Sequence, residues 1–325
     1  MEHLFALTLS HATEVGAIAA ARAMGFGDRK LADRKAVAAM RTYLNSVEFS
    51  GKIVIGEGER DEAPMLYIGE RLGKRRRDRE QIPLDIAVDP LENTNATAMG
   101  LWNAISALAA SEPGGLFHAP DMYMEKLVVG KEAAGKVHLD APVRRNLAAV
   151  ARALDRDISD LVVVVLDRPR HEKLIADIRA AGARIKLIPD GDLPGGISAV
   201  VRGTGVHALM GIGAAPEGVM TAAAVRVLGG EMQGRFWPKD AEEEKRLKRM
   251  GGDPKKIYRE RDLASGKLIM FVATGVTDGD LLRGVRFFGG GARTHTMVLS
   301  TQSGKIRFLD TTHVTDQKEF EFRLR

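Results

Sequence analysis

The chain has 325 residues, 45% hydrophobic and 28% charged, the balance of a soluble globular protein with one large domain or two packed lobes. It contains no cysteine, which excludes disulfides, thiolate zinc sites, cysteine nucleophiles and thiol redox switches. The net charge of +5 is small beside 48 basic and 43 acidic residues, and aromatics at 5% are too few for a base-stacking surface, so no nucleic-acid partner is expected.

In chain order, Leu4, Leu7, His11, Val15 and Ile18 recur at helical spacing, and Gly25 and Gly27 end that segment. A second helix carries Val37, Met40, Leu44 and Val47, with Asp33 one turn before Val37 on its apolar side. Ile53-Val54-Ile55 reads as a strand, then a Gly-rich turn and a helix that ends at Gly73. Lys74-Arg75-Arg76-Arg77, the densest basic run, falls in a solvated loop. Leu84, Ile86 and Val88 alternate as a strand that Pro90 terminates. Strands follow at Ala104–Ala110 and Glu125–Val129, and a helix carries Val143, Leu147, Val150 and Leu154.

A βαβ rhythm begins near residue 158. Leu161–Leu166 suits a parallel strand covered on both faces, and the helix of Leu174, Ile175 and Ile178 is capped by Gly182. Strands are expected at Arg184–Ile188 and Val206–Met210, with a glycine turn at Gly211-x-Gly213 giving close backbone approach. A helix carries Ala222, Val225 and Leu228, and Lys239–Met250 is a charged, exposed helix. Leu268–Ala273 is a buried strand, and Thr294–Leu299 with Lys305–Leu309 forms a hairpin around Ser303-Gly304. The fold class is α/β, divided into lobes at 1–157 and 158–325. No apolar run approaches the ~20 residues of a membrane span, and residues 1–25 lack a signal-peptide pattern, so no membrane partner and a cytoplasmic location are expected.

The informative feature is where the carboxylates fall. Asp33 points inward from a helix; Glu57, Glu59 and Asp61 follow one strand, Asp89 and Glu92 a second, Asp190 and Asp192 a third, and Glu217 a fourth. Ligands of open α/β sheets bind beyond the carboxyl ends of the strands. Each acid alone also fits an ordinary turn or first-turn helix position. If the four ends converge, the acids repel one another unless cations neutralise them. All-oxygen ligation without cysteine and without an evident histidine pair suits Mg²⁺ or Mn²⁺ rather than Zn²⁺, and such ions polarise a phosphate and acidify bound water.

A basic group complements this. Arg168-Pro169-Arg170-His171 follows the Val-rich strand; Pro169 holds Arg168 extended, and Arg170 opens a helix. Two arginines can grip a phosphate, and the hydroxyl of Tyr123 can join them. A metal end and a basic end together suit a small-molecule substrate with two phosphates, one cleaved and one anchored.

Several motifs are specific. Ile53–Glu59 with Asp61–Leu66, Asp85–Pro90, Ala119–Lys126, Pro189–Asp192 and Ala215–Gly218 resemble class II fructose-1,6-bisphosphatases, within the superfamily that includes inositol monophosphatases. The resemblance covers nearly the whole chain. It implies a layered α-β-α-β-α sugar-phosphatase fold, and hydrolysis of fructose 1,6-bisphosphate to fructose 6-phosphate in gluconeogenesis and glycerol metabolism. It implies Asp33, Glu57, Asp89, Glu92 and Glu217 as metal ligands. Thr94 would orient the attacking water, with Asp61 polarising its hydroxyl and Glu57 beside them in catalysis. Tyr123, Arg168, Arg170, Asp190 and Asp192 would hold the sugar and distal phosphate, with Glu92, Asn93, Thr94, Pro169, Gly191 and Ala214 completing the substrate site.

The chain departs from the family pattern at Asn93, where Gly is usual in Asp-Pro-x-Glu-Gly-Thr, at Arg29 and Arg168, where Lys is usual, and at Ala214, where Gly is usual. None of these removes an expected metal ligand. Sedoheptulose-1,7-bisphosphate or an inositol phosphate is an alternative substrate, and a basic binding protein on a decayed phosphatase scaffold is the non-enzyme alternative. A homo-oligomer, dimer or tetramer, is expected, although no subunit interface is readable from the sequence.

Overall fold

The computed structural model describes residues 2–58, 65–74, 81 and 83–314, with side chains from Phe5 onward. In chain order the elements are α1 (Glu2–Ala21), α2 (Arg29–Ser46), β1 (Ser50–Ile55), β2 (Arg71–Leu72), β3 (Pro83–Glu92), α3 (Thr94–Met99), β4 (Ile105–Ser111) and β5 (Tyr123–Val129). Then come α4 (Val143–Ala153), β6 (Val162–Leu166), α5 (Glu172–Ala181), β7 (Arg184–Ile188), α6 (Leu193–Ser198), β8 (Ala208–Ala214), α7 (Ala215–Leu228) and β9 (Glu231–Trp237). The last are α8 (Ala241–Arg249), β10 (Tyr258–Arg259), α9 (Glu260–Leu263), β11 (Ile269–Gly275), β12 (Arg286–Phe288), β13 (Gly291–Ser300) and β14 (Lys305–Val314).

The strands form two mixed sheets. The first has eight strands in the order β12-β13-β11-β4-β3-β1-β2, with β14 on the other edge of β13; the second runs β10-β9-β5-β8-β6-β7. Helices α1 and α2 cover one face of the first sheet, where Leu9, Met40 and Leu44 meet Ile86, Leu108 and Val272. Between the sheets lies the largest core, which joins Val219, Met220 and Val225 of α7 with Ala107 and Phe271 from one sheet and Met124 and Val164 from the other. Helices α4 and α5 close the far face of the second sheet through Leu147, Val150, Ile175 and Ile178. The result is the five-layer α-β-α-β-α arrangement expected from the resemblance. No helix among the described residues is long and apolar enough to cross a membrane.

The run Val162–Leu166 is parallel to both β7 and β8 and is buried except at Val162, as a doubly covered strand should be. The hairpin of β13 and β14 turns between Ser300 and Lys305 as expected.

Other expectations are corrected. The segment before Gly73 is not a helix in its described part: residues 65–70 are turns, and β2 pairs antiparallel with β1, while residues 59–64 lie outside the described residues, as do Arg75, Arg76 and Arg77. Pro90 does not end β3, which continues to Glu92; the register with β4 shifts between Asp89 and Glu92, and such an irregularity is where a strand accepts proline. In α1 the large apolar stripe is not the buried face. Leu7 is 65% exposed, whereas Ala6, Leu9, Thr13, Ala17 and Ala20 are buried, because small side chains let the helix approach the sheet closely. Gly211 and Gly213 lie inside β8 rather than in a turn after it. The sheets also cross the expected 157/158 division: the second draws on 123–259, and the first on 50–111 and 269–314.

Candidate active site

Strands β1 and β3 are parallel neighbours, so their carboxyl ends open on the same side. There the chain places Glu57 after β1 and Asp89 and Glu92 at the end of β3. Helix α2 brings Asp33, and α7, which starts directly after β8, brings Glu217 in its first turn. All five side chains line one cavity of about 330 Å³, together with Asn93, Thr94, Asp121, Asp190 and Ala214. One oxygen each from Asp89, Glu92 and Glu217 lie within 4.8 Å of one another.

The scaffold behind these groups is specific. The N–H of Glu57 donates to the carbonyl of Leu66 (3.1 Å), and that loop is held by the buried Glu70, which accepts from Leu66 N–H (2.5 Å) and Arg41 Nε (2.6 Å). Asp89 Oδ1 accepts from Leu91 N–H at 3.1 Å, and Glu92 Oε1 from Leu193 N–H at 3.0 Å. Glu217 Oε2 is buried with no hydrogen-bond partner among the described residues.

Burial raises the affinity of every one of these carboxyls for a proton. Asp89 is pushed up to about 8 by burial and then by Glu217, Glu57 and Asp33, against a lowering hydrogen bond from Glu92. Glu57 is pushed to about 8 by burial and Asp33, and Glu217 to about 8 by burial and Glu92, partly offset by Lys126. Glu92 lies well above the ordinary range through burial and Asp89; burial raises Asp33, with Arg34 opposing. The described residues alone therefore do not compensate the charge that these acids carry when ionised. An all-oxygen donor set with an orphaned buried oxygen fits a hard divalent cation, and no histidine among the described residues lines the cavity.

Asn93 has the left-handed conformation (φ 69°) that Gly adopts readily, and its Oδ1 caps α3 by accepting from Ala96 N–H. Its bulk is met by Gly191, also left-handed at φ 64°: a Cβ there would lie 2.9 Å from that of Asn93. Thr94 is the first residue of α3 and faces the cavity. Asp61 lies outside the described residues.

The basic group stands against the cavity wall rather than in it. Asp190 lines the cavity, accepts from Asn95 Nδ2 at 2.7 Å, and has Arg168 Nη2 3.5 Å away. Arg168 is extended (φ −141°), and Pro169 opens a single 3₁₀ turn through His171 before α5. The guanidinium of Arg170 donates to the carbonyl of Ile212 through Nε and Nη2 and lies over the ring of Tyr123, 4.6 Å from its centroid. Tyr123 pairs across the sheet with Ala214, which lines the cavity. Asp192 does not line the cavity. It is 6% exposed, and its carboxylate is committed to Lys126 Nζ at 2.6–2.7 Å.

Sequence reasoning missed Lys126 and Asp121. Lys126 is buried and also donates to the carbonyl of Ala214 (2.8 Å). The approach depends on Gly213, where a Cβ would lie 2.0 Å from Asp192 Oδ2. The available signal was a lysine beside the apolar run Leu127-Val128-Val129. Asp121, in the connection before β5, carries no local pattern to distinguish it from a turn acid.

Comparison with known proteins agrees with this geometry. The family described as bacterial fructose-1,6-bisphosphatase, glpX-encoded, matches residues 3–313. A D-fructose 1,6-bisphosphatase class 2/sedoheptulose 1,7-bisphosphatase of Synechococcus sp. (strain JA-3-3Ab) is 54% identical over 340 residues, covering 98% of both chains. Proteins of the same description from Gloeobacter violaceus and Crocosphaera subtropica are 50% and 48% identical, each covering at least 97% of both chains. An acid-lined cavity between two sheets and a match along nearly the whole length converge on one assignment: the chain belongs to the class II, glpX-type bacterial fructose-1,6-bisphosphatase family and is a phosphoric monoester hydrolase.

Proposed function

We propose that this chain hydrolyses the 1-phosphate of fructose 1,6-bisphosphate in the carboxylate cavity, with Asp33, Glu57, Asp89, Glu92 and Glu217 as the cation-holding side chains. The observation that carries this is the convergence of five acids from four separate elements on one cavity, with a buried oxygen of Glu217 left unpaired. Mg²⁺ or Mn²⁺ held there would supply charge neutralisation and would acidify a water. Thr94, on the cavity wall, holds that water by its hydroxyl. Asp61 is the partner that polarises Thr94. Arg168, Arg170 and Tyr123, with Asp190 and Gly191 at the cavity edge, anchor the sugar and its distal phosphate. Asp192 acts through Lys126, fixing the end of β8, rather than by touching the sugar.

A second substrate, sedoheptulose 1,7-bisphosphate, is favoured by the double description of the relatives. Both esters present a phosphate at each end, so one anchor serves both. Phosphate release from each, measured with Mg²⁺, with Mn²⁺ and after thorough chelation, tests the reading. Undiminished turnover after chelation refutes it. Arg170→Ala is expected to raise KM for the bisphosphates about tenfold, the loss of one charge-assisted anchor, while a monophosphate ester is unaffected.

A further inference from the structure

We propose that His11, Glu14 and His313 form a second metal site, which takes a borderline divalent ion of the Zn²⁺ type and joins α1 to β14. Among the described residues, this is the other group that brings three metal-ligating atoms within 4.8 Å of one another. None of its members lines the carboxylate cavity.

Glu14 is buried, and its two oxygens face different groups. Oε1 accepts from the hydroxyls of Thr311 (2.8 Å) and Thr296 (3.3 Å). Oε2 faces the two imidazoles, with His11 Nδ1 at 3.3 Å and His313 Nε2 at 3.8 Å. Tetrahedral zinc with bonds of about 2.0–2.2 Å places its ligand atoms about 3.3–3.6 Å apart, so these spacings need only small side-chain adjustment. Two nitrogens and one carboxylate oxygen form a zinc-type donor set, in contrast to the all-oxygen cavity.

The surroundings match a supported site. The two threonines fix the carboxylate from behind, as outer-shell groups do around metal ligands. Thr296 is in turn 2.9 Å from Thr274, itself 2.7 Å from Thr13 of α1, so a buried chain of hydroxyls sets the position of Glu14. The ring of Tyr43 from α2 stands edge-on to His11 at 4.6 Å. Thr294 Oγ1, 2.9 Å from His313 Nε2, is the group that an ion displaces from that nitrogen. The His11 side chain is 43% exposed and that of Glu14 4%, so an ion enters from the His11 side and keeps a water as its fourth ligand.

Co²⁺ is the probe for the experiment. The full-length chain is stripped of metal, given excess Mg²⁺ for the carboxylate cavity, and then loaded with Co²⁺. Imidazole bound to Co²⁺ gives hyperfine-shifted, exchangeable N–H proton resonances, and these report this cluster because the cavity has no histidine. Two such resonances are expected in the wild type, one lost in His11→Gln and one in His313→Gln. Zn²⁺ content is expected to fall by one ion per chain in the double variant. Thr311→Val should keep both resonances and weaken binding about 10- to 100-fold. Glu14→Gln, which preserves shape, serves the same purpose if a histidine variant does not fold, as judged by circular dichroism. Absence of shifted exchangeable resonances in the wild type, or their survival in the double variant, overturns the proposal.

Discussion

Asp192 and Glu217 both lie against the end of β8, and the protein treats them in opposite ways. Asp192 receives a lysine, Lys126, at 2.6–2.7 Å, in a contact close enough to require Gly213. Glu217 receives no hydrogen-bond partner for its buried Oε2, and burial together with Glu92 pushes its carboxyl up to about 8. One acid is neutralised from within and is part of the scaffold. Among the described residues the other is left short of positive charge, as are Asp89 and Glu57 beside it, a deficit that the proposed cation would offset. On the proposed function, the difference separates acids that hold the site from acids that work in it, although both kinds follow strand ends in the sequence.

The largest effect that could break this contrast is at Asp89. Asp89→Ala removes a cavity carboxylate, and kcat should fall by more than the ~10²–10³-fold of a single lost transition-state donor, with Mn²⁺ affinity reduced in calorimetry. Near-normal turnover would mean that the deficit has no role. On the other side, Lys126→Met strands the buried Asp192, and urea unfolding should show a loss of about 3–5 kcal/mol. Adding Asp192→Asn should restore most of that stability, since both charges are then gone; no recovery would show that Lys126 serves the cavity and not Asp192.

Thr94→Ala sharpens the contrast within the cavity. It should lower kcat by about 10²-fold, a typical contribution from positioned proton transfer, and leave metal affinity unchanged. A last test is of pH dependence. Asp89, Glu57 and Glu217, raised to about 8 in the metal-free protein, favour folding while protonated. Their contribution is complete below about pH 4, where the unfolded chain is protonated too, and is lost as pH rises through about 8. The melting temperature of the chelated protein should therefore decline steadily from about pH 4 toward about pH 8, and saturating Mg²⁺ should flatten the decline.

Much of this was legible in the sequence where chemistry sits at element ends. The acids that meet in the cavity stand at spacings that strand periodicity locates, and Val162–Leu166 announces its double coverage by composition. What was not legible depends on distant contacts. Apart from Leu9, the buried face of α1 is made of small residues such as Ala6, Thr13, Ala17 and Ala20, so a helical stripe of large apolar residues selects Leu7, which faces solvent. Pro90 looks like a strand end because its tolerance depends on a register shift against β4, set by a separate segment. His11 and His313 give no spacing signal because they come from opposite ends of the chain, and only the packing of α1 on β13 and β14 joins them.

The order of the strands bears on how the molecule is made. Strand β4 finishes at Ser111, but its neighbour β11 begins only at Ile269, after the whole second sheet has been synthesised. On the ribosome, the growing polypeptide therefore exposes an unpaired row of amides and carbonyls along β4 while the later strands are still being translated. Such an edge invites association with other nascent molecules, and its long-range closure is intrinsically slow. High-yield production of this enzyme is thus helped by a holdase that shields β4 until residues 269–314 arrive.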